Sequence, residues 1–133
     1  MAKLLADTSA LLALAMRGDR HHAAAAEFLR RNPQARFVVT ELIVGEFATR
    51  VRTRAGAGMA AALARNLLES RRYELVFVDM ALLRGAVERL ARFGDKRLSL
   101  TDCASFELMD RLGLTSAFTF DRDFRDCGYT MAP

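Results

Sequence analysis

Uncharged apolar runs, cysteine, lysine and histidine are all scarce in this 133-residue chain. No apolar segment reaches about 18 residues without a charge, which argues against a membrane-spanning helix. The two cysteines, Cys103 and Cys127, are 24 residues apart, and neither has a second cysteine nearby at metal or redox spacing. They read as reduced thiols in a cytoplasmic protein, with no disulfide required. The two histidines, His21 and His22, are adjacent and would point roughly 100° apart on a helix, which leaves no zinc site. Low-complexity tracts, internal repeats and linkers are absent, while 52% of the residues are hydrophobic. A chain of this size buries roughly 70% of its unfolded surface, so a single folded domain over residues 1–133 is expected.

The positive charge is distributed unevenly. The net charge is +4 and the pI about 9.7, yet there are only two lysines, Lys3 and Lys96. Arginines cluster at Arg50, Arg52 and Arg54 and at Arg71-Arg72, and Lys96-Arg97 adds a further basic pair. Arginine is always charged and pairs with phosphate through two parallel bonds, so a polyanion is a reasonable ligand. Ordinary solvated helix faces would give the same count.

The N-terminal run "KLLADTSALLALAM" raises a sharper question. Lys3, the apolar stretch and Ala13-Leu14-Ala15 imitate a secretory signal, but Asp7, Thr8 and Ser9 interrupt it. A carboxylate in such a stretch costs several kcal/mol, on the order expected for a buried charge, unless it is paired. The pattern around it reads as a buried strand at residues 3–6, then a helix at 9–16. A second helix is expected from Asp19 to about Arg31, with Ala23, Ala26, Phe28 and Leu29 as its buried face, and Asn32-Pro33 ends it. "RFVVT" (36–40) is a strand, and Thr40 caps a helix from Glu41 to about Arg54. Gly56 and Gly58 break the chain before an alanine-rich helix to about Glu69. "YELVFVD" (73–79) is a strand, and Asp79 caps a helix over 80–93. After a basic loop at 94–97, Ser99 opens a helix to about Leu112. "SAFTFD" (116–121), a short "RDFRDC" turn and a final edge strand at "YTM" complete the chain.

Strands alternating with helices imply a parallel sheet covered on both faces: an α/β fold, built as a three-layer α/β/α sandwich. Ligands of such sheets bind beyond the carboxyl ends of the strands, where the strand order reverses. Asp7 and Asp121 end two of the strands, and Asp102 lies in the first turn of a helix whose N-terminus faces the same edge. Glu46 lies inside a helix and borders its apolar stripe. Each acid has a bland alternative: a cap for Asp7 or Asp121, a capping box with Ser99 for Asp102, an ion pair with Arg50 for Glu46. Their convergence on one edge is harder to explain that way. Carboxylates gathered in one crevice repel and raise one another's pKa values, and a hard divalent cation relieves this. Magnesium or manganese with in-line displacement at phosphorus is the usual chemistry of such a site.

The ordered set "ADTSALLAL", Glu46 within "ELIVGEFATR", "LSLTDCASF" and "TFDRDF" resembles the PIN-domain nucleases, and among them the VapC-type toxins of bacterial and archaeal toxin–antitoxin pairs. The likeness covers nearly the whole chain. It implies a Mg2+- or Mn2+-dependent endoribonuclease with Asp7, Glu46, Asp102 and Asp121 as metal-binding and catalytic acids. Thr8 or Ser9 matches the small polar position beside the first acid, Thr119 matches the hydroxyl of "T-x-D", and Asp123 matches an extra acid of some members. The resemblance further implies an RNA substrate, a small antitoxin that holds the enzyme inactive, a homodimer, and no membrane association. Arg50, Arg54, Lys96 and Arg97 are candidates for steering the RNA backbone. A nuclease-inactive RNA- or protein-binding module on the same fold is the alternative, and a phosphotransfer enzyme is a more distant one.

Overall fold

The computed structural model describes residues 3–94 and 97–133. Five strands, β1 (Lys3–Ala6), β2 (Arg36–Thr40), β3 (Tyr73–Val76), β4 (Ser116–Phe118) and β5 (Thr130–Ala132), form one sheet in the order β3-β2-β1-β4-β5. Every pairing is parallel. Six helices connect them: α1 (Thr8–Ala15), α2 (His22–Arg31), α3 (Glu41–Glu69), α4 (Met80–Arg92), α5 (Leu100–Leu112) and α6 (Arg122–Asp126).

The strand order dictates the layers. The chain steps from β1 to β2 to β3 in one direction, then jumps back across the sheet to β4 and continues outward to β5. Right-handed crossovers therefore place α1, α2 and α3 on one face and α4, α5 and α6 on the other. Packing agrees with this: α1 lies against α2 and α3, and α4 lies against α5. The sandwich expected from the sequence is the one observed.

Covering on both faces explains the composition of the central strands. Leu5, Phe37, Val38, Val39, Ala117 and Phe118 are wholly buried, and β2 reads as an unbroken apolar run rather than an alternating one. Phe118 stacks on both Phe28 and Phe37, tying α2 to two strands. Each such side chain contributes on the order of 1.5–3 kcal/mol by leaving water.

Several boundaries differ from the sequence reading. Helix α2 begins at His22 rather than Asp19, because the Asp19 carboxylate accepts the His21 N–H at 2.8 Å and holds a turn there. Its inner face is also different: Ala25 is buried with Phe28 and Leu29 packed beside it, while Ala23 and Ala26 are exposed. Alanine marks no face by itself; the large residues set the phase. The interruption in α3 falls at Gly56 alone, whose φ of 89° and ψ of 170° a residue with a Cβ rarely adopts. Gly58 continues the helix. Strands β3 and β4 stop at Val76 and Phe118, three residues earlier than their apolar patterns suggest. Asp95 and Lys96 lie outside the described residues. Among the described residues, no helix is long and apolar enough to cross a membrane.

Candidate functional site

The sheet's order reverses between β1 and β4, and the carboxyl ends of those strands open into a polar cleft of about 220 Å³. Asp7 is the first residue past β1. Its own N–H donates to the Phe118 carbonyl at 3.0 Å, adding one more rung between β1 and β4 before α1 begins. The residue caps α1 with extended backbone and is only 4% exposed.

A pair of hydroxyls fixes that carboxylate. Ser9 Oγ donates to Asp7 Oδ2 at 2.8 Å, and Thr119 Oγ1 donates to the same oxygen at 2.9 Å. Each hydroxyl also accepts a backbone N–H from the segment after β4: Ser9 from Phe120 and Thr119 from Asp121, both at 3.0 Å. A hydroxyl has one proton to give, so the 3.3 Å approach of Ser9 Oγ to Thr119 Oγ1 follows from their shared acceptor. The first acid is thus clamped between two strand ends. Burial nevertheless outweighs these bonds and pushes its pKa above the ordinary carboxylate range, with the Asp121 charge adding to the effect.

The remaining acids arrive from three other elements. Asp102 closes a capping box at the start of α5: its N–H donates to Ser99 Oγ at 3.0 Å and its Oδ2 accepts the Ser99 N–H at 3.1 Å. Burial, then the charge of Asp7 and more weakly that of Asp121, pushes its pKa up to about 6. Asp121 caps α6, with Oδ1 accepting the Asp123 N–H at 2.9 Å. Glu46 stands on α3 with Arg50 one turn on, Arg50 Nη2 lying 3.6 Å from Glu46 Oε1. The bland readings of Asp7, Asp102, Asp121 and Glu46 are therefore all realised, and the same side chains still line one cleft. Capping and convergence do not compete.

Thr8, Ser9, Arg50 and Arg97 also line this cleft. Thr119 is wholly buried behind Asp7 rather than on the wall. Asp123 and Arg54 are not on the lining, and Lys96 lies outside the described residues. Ser99 is a wall residue that the sequence reading treated only as a cap; its place as partner of Asp102 was the available signal.

The donors facing this space suit a hard cation. All the acidic ligands are oxygens, Asp7 and Asp102 both resist ionisation where they stand, and Thr8 Oγ1 is buried with no hydrogen-bond partner. An orphaned hydroxyl of this kind costs about 1–3 kcal/mol, which a bound water or ligand would recover. Among the described residues, no group of three or more His, Cys, Asp or Glu side chains is arranged to hold a metal ion as it stands. The donor set nonetheless suits a hard cation such as magnesium, which takes carboxylate oxygens directly or through its bound waters and keeps other positions for water and phosphate.

A parallel α/β sandwich with acids from four elements at its switch point defines a class, and the PIN domain family model matches residues 4–128. The chain belongs to the PIN-domain family. It is similar to the 23S rRNA-specific endonuclease VapC20 of Mycobacterium tuberculosis, 32% identical over 128 residues and covering 95% of both chains. It is also similar to ribonuclease VapC26 of the same organism, 31% identical over 119 residues, 90% of this chain and 87% of the relative. The crystal structure of M. tuberculosis VapC20, described as a sarcin–ricin loop cleaving toxin, superposes with a TM-score of 0.89 at 28% identity and 96% coverage of each chain.

Proposed function

We propose that this protein is a Mg2+- or Mn2+-dependent endoribonuclease and the toxin of a toxin–antitoxin pair. The observation that carries the reading is the gathering of Asp7, Glu46, Asp102 and Asp121 around one cleft at the switch point, with Asp102 pushed up to about 6 by burial and its neighbours' charges. Such a cleft is short of positive charge, and it borders arginines that suit an RNA backbone. Ribosomal RNA is the substrate class favoured by the activity named for VapC20.

Asp7, Asp102 and Asp121 would hold the cation, with Glu46 completing the shell or orienting the attacking water. Bound there, the ion would supply an activated water and neutralise charge on the scissile phosphate. The protein's part is positioning. Ser9 and Thr119 keep Asp7 in one rotamer, so the site loses little entropy when it loads. The Ser99 N–H holds one oxygen of Asp102 and leaves the other for a ligand. Arg50 shares Glu46 in the resting state and is placed, with Arg97, to take phosphate oxygens when RNA enters. Thr8 offers its unpaired hydroxyl to a water or to the substrate. The family supports a small antitoxin laid across this cleft, a homodimer and a cytoplasmic setting.

The test is cleavage of a mixed bacterial RNA pool by protein freed of antitoxin. Cuts that require manganese, vanish with chelator and vanish in Asp7→Asn would establish the nuclease, and their mapped ends would name the target. Silence from wild-type protein with manganese bound would instead favour the RNA- or protein-binding module.

A further inference from the structure

A second pocket, about 180 Å³, lies at the opposite end of the sheet, where β2 and β3 begin. It is lined by Pro33, Gln34, Ala35, Arg36, Arg71 and Arg72. Three of its six lining residues are arginines. The α2–β2 connection supplies one wall, and the turn between α3 and β3 supplies the other.

The turn is fixed from both sides. Ser70 Oγ accepts the Arg72 N–H at 3.2 Å, the Arg72 carbonyl accepts the Phe37 N–H at 2.8 Å, and Arg36 Nη1 donates to the Arg71 carbonyl at 3.1 Å. Among the described residues, none of the three arginines is in a salt bridge. Some arginines elsewhere in the fold are paired with acids: Arg30 and Arg31 with Glu27, Arg89 with Glu107 and Asp110, Arg111 with Asp79. At this pocket the nearby Glu74 is taken by Lys3. Arg72 Nη1 is also buried with no hydrogen-bond partner, the cationic counterpart of the orphaned Thr8 hydroxyl in the cleft. A buried charged donor left unmade is costly, and a phosphate group would meet its need once the Arg72 side chain turns outward into the pocket.

We infer that Arg36, Arg71 and Arg72 form a phosphate-binding pocket that takes a backbone phosphate of RNA, at a point separate from the carboxylate cleft. The inference rests on the nuclease reading only for the choice of RNA as the source of the phosphate. β2 runs from Arg36 to Thr40, four steps of about 3.3 Å, so a strand length of about 13 Å separates the end of the sheet that holds the pocket from the end that holds the cleft. An RNA that engages both must carry several nucleotides beyond the cut site. The pocket would then favour long or structured RNA over fragments, a preference the cleft alone cannot express.

Binding without metal separates this inference from the nuclease reading. A fluorescein-labelled single-stranded RNA of about 20 nucleotides is titrated with chelator-treated protein over a series of salt concentrations. The expected result is that Arg36→Gln/Arg71→Gln binds at least about fivefold more weakly, with a salt slope shallower by about one per lost contact. Arg36→Lys/Arg71→Lys keeps the slope, and thermal melts confirm that both proteins are folded. In parallel, inorganic phosphate is titrated while the arginine Nε–Hε resonances are followed, and RNA is expected to displace it. Equal affinity and equal slope in the glutamine variant would overturn the inference, as would phosphate that RNA cannot displace. If the RNA pool is never cut yet the glutamine variant loses RNA affinity as described, the pocket stands and the nuclease reading falls.

Discussion

Two clusters of charged side chains are set into this fold, and they are built on opposite plans. Between α4, α5 and β5, Arg89 is 12% exposed and donates to Glu107, Asp110 and the Tyr129 hydroxyl. Burial works against its charge, but the bonds to Glu107 and Asp110 more than offset this and hold its proton tightly. Tyr129 in turn donates to Asp110 at 2.7 Å, and burial together with that bond pushes its pKa up to about 12. Each member has found its partner inside the chain. In the carboxylate cleft the neighbours of Asp7 and Asp102 are other acids, and the relief offered from within is two hydroxyls, a capping box and one arginine at 3.6 Å from Glu46. A cluster that serves the fold neutralises itself. One that leaves acids facing acids fits the proposal that a cation enters from outside.

The largest effect that would sharpen this contrast is on catalysis. Asp7→Asn keeps the size and the hydroxyl partners of the side chain but removes its charge, and metal-dependent RNA cleavage should fall by at least about a hundredfold, the several kcal/mol a cation supplies. The fold should survive, with a melting temperature equal to or above wild type in chelator. A folded Asp7→Asn protein of undiminished activity would remove Asp7 from the site.

At the other cluster the sign reverses. Arg89→Leu should destabilise the protein by about 3 kcal/mol in chemical denaturation, because Glu107 and Asp110 lose the charge that holds them. The same substitution should leave manganese affinity in the cleft unchanged. A neutral effect on stability would mean that the self-neutralised cluster contributes little.

The pH dependence of stability gives a smaller and more diagnostic effect. The folded-state pKa of Asp102, about 6, lies above its ordinary value of 3.8, and Asp7 is shifted in the same direction. A raised acid holds its proton longer when folded, so the native state binds more protons than the unfolded chain between those values. Stability of the metal-free protein should therefore decline as pH rises from about 4 to 6, by about 1–3 kcal/mol, and then level off. Asp102→Asn should flatten that decline, and so should manganese. Stability that rises through this window in both proteins would contradict the assigned shift. The smallest expected effect is that of Ser9→Ala, about 1 kcal/mol for the lost hydrogen bond, together with weaker manganese binding because Asp7 gains rotamer freedom.

Much of this arrangement was legible in the residues. Apolar runs at Leu4–Ala6 and Phe37–Val39 announce strands buried on both faces, and the alternation with helices dictates a parallel sheet. The ends of the first and fourth strands located Asp7 and Asp121, while Asp102 and Glu46 were read from helix positions. What the residues did not disclose depends on partners distant in sequence. Nothing local in "TFDRDF" says that β4 stops at Phe118 and that Thr119 turns inward to Asp7, since that bond spans 112 positions. Nor does "HHAAAAEFLRR" say which alanine is buried, because the phase of α2 is set by Phe28 against Phe118. Arg71 and Arg72 stand out in the sequence as a basic pair, but nothing there says that Arg36, 35 positions earlier, joins them at one pocket.

The measurement that bears most directly on the account is calorimetric titration of Mn2+ into chelator-stripped protein at pH 6 and 7, for wild type and Asp7→Asn. Expected is binding to wild type with release of protons near pH 6, as Asp102 gives up its own, and at least about tenfold weaker binding to the variant. Equal affinity for the two proteins, or no binding by wild type, would contradict the claim that this cleft is built for a cation.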